Sequence, residues 1–190
     1  MIPGRILFLE NEDSFSWNVI ESLPFDRGSI SIRPGRQVAG DPAALAGFDA
    51  LVIGPGPTDP VRAGIVGIVH AAAREGVPLL GICLGHQAIG LAFGARLVRS
   101  RPVHGKPCPV TFAPSRLFPS IAGTQVVMRY HSLSLAEVAP PLRVVAVSEE
   151  GLPMAIEHES LPIAGLQFHP DSYATPRGRE MIARFFEAVR

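Results

Sequence analysis

The chain has 190 residues, 17 basic and 17 acidic side chains, a formal net charge of +0 and 47% hydrophobic content. That balance leaves no excess positive charge to neutralise phosphates, which argues against nucleic acid as an obligate partner, and one residue in five being Gly or Pro falls short of the roughly 25–30% of low-complexity chains. A length near one typical domain, this apolar, buries a core without metal or disulfide staples, so residues 1–190 are expected to form one domain.

Short apolar runs alternate with helical patterns through the first half. Ile6 to Leu9 reads as a strand, and Asp13 or Ser14 can cap a helix running to Leu23. Ser29 to Ile32 is a weaker strand and Phe48 to Ile53 a strand apolar on both faces. Ala63 to Arg74 reads as a helix with Asp59 as its cap, Pro78 to Ile82 as a strand and Leu84 to Phe93 as a helix. This β-α-β-α rhythm with continuously apolar strands predicts a parallel sheet covered on both faces. After Ala95, the runs Val110 to Phe112, Val126 to Tyr130, Arg143 to Val147, Met154 to Glu157 and Ile163 to Phe168 are separated by turns rather than helices, which predicts antiparallel additions. Glu180 to Val189 closes the chain as an amphipathic helix.

Two cysteines, Cys83 and Cys108, are too few for a secreted disulfide framework. No apolar stretch reaches the about 18 residues of a membrane span, and Met1-Ile2-Pro3-Gly4-Arg5 does not open a signal peptide. A soluble, cytoplasmic chain in a reducing compartment, with no membrane partner, is expected.

The stretch Gly81-Ile82-Cys83-Leu84-Gly85-His86-Gln87 carries the chemistry. A buried strand runs through it straight into a helix, the form of a nucleophile elbow with cysteine in the serine position. Flanking glycines clear the sharp turn, the helix N-terminus favours the thiolate, and the Leu84 N–H is placed as an oxyanion donor. Of the six histidines, His86 points along the helix and is poorly placed to face the thiol. His169, just beyond the run Ile163 to Phe168, lies at the strand edge where α/β sites are built. Asp171, two residues on and past Pro170, can accept from the other imidazole nitrogen and fix its tautomer. The Gly54-Pro55-Gly56-Pro57-Thr58-Asp59-Pro60 loop lacks the lysine and spacing of a P-loop; it is rigid and suits a second oxyanion donor from Gly56 or a neighbour.

These pieces, in this order, resemble the class I glutamine amidotransferases, from about Leu7 to the end of the chain. The resemblance implies an α/β, three-layer flavodoxin-like fold and a Cys-His-acid triad of Cys83, His169 and Asp171 that hydrolyses the side-chain amide of L-glutamine. Asn11-Glu12-Asp13-Ser14-Phe15-Ser16-Trp17-Asn18, Val103-His104-Gly105-Lys106 and Arg129-Tyr130-His131-Ser132-Leu133 look like the small subunits of anthranilate synthase and 4-amino-4-deoxychorismate synthase. On that likeness Gln87 and the Ser132-Leu133 segment hold the α-amino and α-carboxylate ends of glutamine, with Gly56, Pro57 and Thr58 on the oxyanion side. It also implies a larger chorismate-binding synthase subunit that carries Mg²⁺, with no cofactor and no metal in this chain. Two departures stand out. Asp171 replaces the usual Glu, and Thr58 replaces a second glycine; if the loop needs a positive φ, Gly56 is expected to bear it. A stand-alone cysteine hydrolase of γ-glutamyl or peptide bonds is the alternative, against which Arg129-Tyr130-His131-Ser132-Leu133 argues.

Overall fold

The continuously apolar runs become strands buried on both faces. The computed structural model describes residues 4–38, 41–101 and 105–190. They run β1 (Ile6–Glu10), α1 (Ser16–Ser22), β2 (Ile30–Pro34), α2 (Gly35–Val38), β3 (Ala50–Ile53), α3 (Val66–Glu75), β4 (Leu79–Ile82), α4 (Leu84–Ala92), β5 (Arg96–Arg99), β6 (Lys106–Phe112), β7 (Gly123–Arg129), β8 (Leu133–Ala136), β9 (Leu142–Ser148), β10 (Pro153–His158), β11 (Ile163–Leu166) and α5 (Gly178–Ala188). Nine strands form one sheet in the order β2-β1-β3-β4-β11-β10-β9-β6-β7. The first five are mutually parallel and the last four alternate in direction.

The pleat sorts each strand between two cores. Ile6, Phe8, Ala50, Val52, Leu80, Ile82, Ala164 and Leu166 face one layer, which includes Val19 and Ile20 of α1 and Met181, Ile182, Phe185 and Phe186 of α5. Leu7, Leu9, Leu51, Ile53, Leu79 and Ile163 face the other, with Ile68, Val69 and Ala72 of α3 and Ala88 and Ile89 of α4. Helices therefore cover both faces of the parallel half, giving the three-layer α/β arrangement. No helix among the described residues is long and apolar enough to cross a membrane.

Several expectations are corrected. Ile163 to Phe168 was expected as an antiparallel addition, but β11 lies parallel to β4 and antiparallel to β10. It completes the parallel half because β10 has already reversed the chain beside it. α3 starts at Val66 rather than Ala63, since Gly64 takes φ 70° and breaks the helical path. Asp59 accepts from the N–H groups of Val61 and Arg62, both at 3.0 Å, so it caps the turn before α3 and not the helix itself. Asp13 similarly accepts from Phe15 N–H at 2.8 Å and closes a turn, delaying α1 to Ser16. β5 and β8 were not anticipated. They pair only with each other, and β5 reads Arg-Leu-Val-Arg with exposed ends, too short and polar to stand out. Val103 and His104 of the expected Val103-His104-Gly105-Lys106 segment lie outside the described residues.

The β4-to-α4 turn is packed backbone against backbone. A Cβ on Gly81 would collide with the backbone of Gly85, and a Cβ on Gly85 with the carbonyl of Ile53 in β3. Both partners are buried backbone, one in α4 and one in β3, and cannot give way. Gly85→Ala is expected to lower stability by about 3 kcal/mol through overpacking, read as a drop in the urea midpoint at unchanged slope.

Candidate active site

The carboxyl ends of the parallel strands converge on one edge of the sheet. β1 delivers Asn11 and the turn to Phe15, β3 the Gly54–Asp59 loop, β4 Cys83, and β11 leads to Gln167 and His169. A cavity of about 270 Å³ opens there, lined by Cys83, His169, Gln87, Tyr130, Ser132 and Leu133, with Asp13, Phe15, Gly56, Pro57, Thr58 and His131. Apart from Leu84 and Asp171, every expected site residue lies on its wall.

Cys83 sits at the N-cap of α4 with φ 52° and ψ −94°, a conformation that non-glycine residues avoid. Such strain costs on the order of 1–3 kcal/mol and persists only where the surroundings impose it. Here the Cys83 N–H is tied to the carbonyl of Leu166 at 2.8 Å, and the Gln87 N–H to the Cys83 carbonyl at 3.1 Å. The thiol is thereby held at the sheet edge, 8% exposed, at the positive end of α4. The first N–H groups of a helix have no intrahelical acceptor, which leaves that of Leu84 directed at the same region.

Gly56 lies against Leu84, and a Cβ there would strike the Leu84 side chain and Asn11. Neither Gly56 nor Thr58 has a positive φ. The expectation that Gly56 bears a special conformation is therefore corrected: it is required for close approach, and Thr58 occupies its exposed place without strain. Asn11 fastens the loop by donating to the carbonyls of Leu9 at 3.3 Å and Gly54 at 3.1 Å.

His169 is held on every side. Its N–H donates to Met128 O at 3.0 Å, and its carbonyl accepts from the Thr175 hydroxyl at 2.8 Å, which in turn accepts from Met128 N–H at 3.0 Å. Phe15 and Tyr130 pack edge-on against the imidazole at 5.2 and 5.1 Å between ring centroids. Nδ1 lies 3.3 Å from Asp171 Oδ1, both side chains being buried. The contact has ion-pair distance, but the ring N–H and the carboxylate are not aligned as a hydrogen bond. The Asp171 carboxylate nevertheless favours the charged ring, and the aromatic walls add to its orientation. Burial opposes the charged ring, yet Asp171 and the Cys83 sulfur outweigh it and push the His169 pKa up to about 10.

Gln87 donates through Nε2 to the Leu133 carbonyl and to Gln167 Oε1, each at 3.2 Å. The Leu133 carbonyl also faces His131 Nδ1 at 3.0 Å. Arg129 Nε–H donates to His131 Nε2 at 3.2 Å, so the proton of the neutral ring sits on Nδ1. Burial, then Arg129, hold the His131 pKa down to about 4. Arg129 is itself paired with Glu150 at 3.0 Å. Both carbonyls of the Ser132-Leu133 segment are occupied, since that of Ser132 accepts from Ser100 N–H at 2.9 Å. The Ser132 side chain remains exposed on the cavity wall. His86, expected to be poorly placed, is buried against Gly165, and burial pushes its pKa down to about 3.

Gln167, Thr175 and Gly178 received no role from the sequence. Gly178, at the start of α5, packs so closely on the Pro170 carbonyl that a Cβ would displace the 169–171 turn. Only Gln167 carried a signal, as part of Gln167-Phe168-His169-Pro170; the others act through contacts invisible in one dimension.

The model of the glutamine amidotransferase class-I family matches residues 7–189. Over 191 residues the chain is 41% identical to anthranilate synthase component 2 of Mycobacterium tuberculosis, covering 95% of this chain and 81% of that one. It is 39% identical over 184 residues to aminodeoxychorismate synthase of Streptomyces griseus, covering 95% of this chain and 25% of that one, so it spans about a quarter of that relative's length. A solved structure from Thermoplasma acidophilum, provisionally described as part of a GMP synthase, superposes with a TM-score of 0.85 at 23% identity, covering 97% of this chain and 93% of the other.

A histidine pKa raised on folding stabilises the protein fully below its unfolded value of about 6.5, and that contribution disappears as pH rises through about 10. Asp171→Asn is expected to bring the His169 ring titration, followed by NMR, down by at least about one unit, and to move the alkaline loss of stability to lower pH with it. An unchanged midpoint would remove Asp171 from the site.

Proposed function

The chain belongs to the class I glutamine amidotransferases, and on that premise we propose that it hydrolyses L-glutamine at Cys83 and delivers the ammonia to a larger, chorismate-binding synthase subunit. One observation carries the catalytic part: a strained, helix-capping Cys83 and a buried His169–Asp171 pair meet on the wall of a cavity sized for an amino acid. The relatives named anthranilate synthase component 2 and aminodeoxychorismate synthase support the partner.

In this reading glutamine lies with its side-chain carbonyl oxygen between the N–H groups of Gly56 and Leu84, beside Pro57 and Thr58. Its α-amino and α-carboxylate groups lie toward Gln87, Ser132 and Leu133. With both Gln87 amide hydrogens spent, its Oε1 is left to accept from the α-ammonium group. The Cys83 thiolate attacks the amide carbon. His169, charged at neutral pH, gives its proton to the departing nitrogen, so the C–N bond breaks, ammonia leaves and a γ-glutamyl thioester remains. Water then attacks the thioester while the neutral imidazole takes its proton, and glutamate is released with the thiolate restored. Chorismate and its Mg²⁺ belong to the partner, whose active site decides between anthranilate and 4-amino-4-deoxychorismate; this chain contributes the nitrogen.

Cys83→Ala is expected to abolish glutamine-dependent synthesis in the reconstituted complex, by at least about 10³-fold, while ammonia-dependent synthesis continues. The assay combines the chain with each candidate chorismate-using subunit, glutamine and Mg²⁺, and identifies the product. Glutaminase activity retained by Cys83→Ala would refute the nucleophile. Full activity of the isolated chain on γ-glutamyl or peptide bonds, with no gain from either partner, would favour the stand-alone hydrolase.

A further inference from the structure

Gln167 is wholly buried and has no part in the hydrolysis proposed for Cys83 and His169, yet its Nε2 lies 3.6 Å from the Cys83 sulfur. Its orientation follows from its neighbours. The Leu133 carbonyl can only accept, so Gln87 must present Nε2 to it. The second hydrogen of that same group goes to Gln167 Oε1, which turns the Gln167 nitrogen to the sulfur. Reversing Gln87 would set its oxygen against the Leu133 carbonyl and Gln167 Oε1, and reversing Gln167 would set its nitrogen against that of Gln87.

We propose that Gln167 is a further catalytic residue, an N–H donor to the Cys83 thiolate whose direction is imposed by the Leu133 carbonyl through Gln87. A thiolate accepts such a bond more strongly than a thiol, so a fixed donor favours the reactive form. His169 is the charged group facing the same sulfur, with Asp171 behind it, while His131 at the far end of the chain of hydrogen bonds stays neutral under Arg129. His169 gives up its proton to the leaving group during turnover. Gln167 cannot, and so remains a donor to sulfur through the step in which the imidazolium is lost. The same chain of amides ties the nucleophile to the segment proposed to hold the substrate.

The proposal rests on Cys83 as the nucleophile but not on the identity of the substrate. Its test therefore uses iodoacetamide in the absence of glutamine, with alkylation of the Cys83 peptide followed by mass spectrometry in the full-length chain so that Cys108 does not contribute. Gln167→Met keeps the volume and can donate nothing; Gln87→Met leaves Gln167 in place but unoriented. The rate at pH 6 relative to that at pH 9 is expected to fall about tenfold in Gln167→Met and several-fold in Gln87→Met. General loosening of the site would raise or lower both rates together and leave the ratio alone. An unchanged ratio in either folded variant overturns the proposal, and if circular dichroism shows one variant unfolded the other decides. Failure of the substrate reading would appear separately, as no glutamine turnover by the wild-type chain, alone or with either partner, while Cys83 still alkylates with the expected pH ratio.

Discussion

A cysteine held at φ 52° and ψ −94° between a buried strand and a helix is the constraint on which the rest of the site depends. The conformation is unfavourable in isolation and is imposed by three contacts: the bond from Cys83 N–H to Leu166, and the backbone approaches of Gly81 to Gly85 and of Gly85 to Ile53. Two of them need neighbouring strands, β11 and β3, and the third joins β4 to α4, so strain at one residue is sustained by the sheet and the helix together. The return is geometric. The sulfur stands clear of the sheet edge at the positive end of α4, while remaining almost wholly shielded from solvent.

Around that point the site is built from two kinds of support. His169 is fixed by backbone bonds, by Thr175 and by two aromatic edges, with the Asp171 carboxylate 3.3 Å from its Nδ1. The opposite wall is fixed by amides and a neutral histidine, from Gln167 through Gln87 to Leu133, His131 and Arg129. On the proposed mechanism, the first side carries and moves a proton. The other side is made of amides, carbonyls and a histidine that burial and Arg129 hold neutral, which on the proposed function suits recognition of a zwitterion.

Much of this was legible in the sequence because it rests on local rules. The Gly-x-Cys-x-Gly elbow, the apolar runs of β1, β3 and β4 and the histidine beyond β11 are patterns of spacing, and spacing along a strand or around a helix start is preserved on folding. The misreadings came where a local cue had two outcomes. Asp59 followed by Pro60 reads as a helix cap, but Gly64 diverts the chain and makes it the cap of a turn. The Gly-Pro loop reads as a conformational need at Gly56, whereas the need is space beside Leu84 and Asn11. β5 and β8 escaped notice because a two-stranded, half-exposed pair carries little apolar signal.

The sequence by itself determined the family and the α/β class, and it singled out Cys83 and His169 for the roles proposed for them, since these features are written in local patterns of residues. Tertiary structure alone decided that β11 runs parallel to β4, because strand direction depends on which strand it meets and not on its own residues. It alone placed Phe15, from the first turn, and Tyr130, from the end of β7, on the two edges of His169. It also set the direction of the Gln87 and Gln167 amides. An amide can donate or accept, and only an obligate acceptor brought in from 46 residues away, the Leu133 carbonyl, resolves which end faces the sulfur.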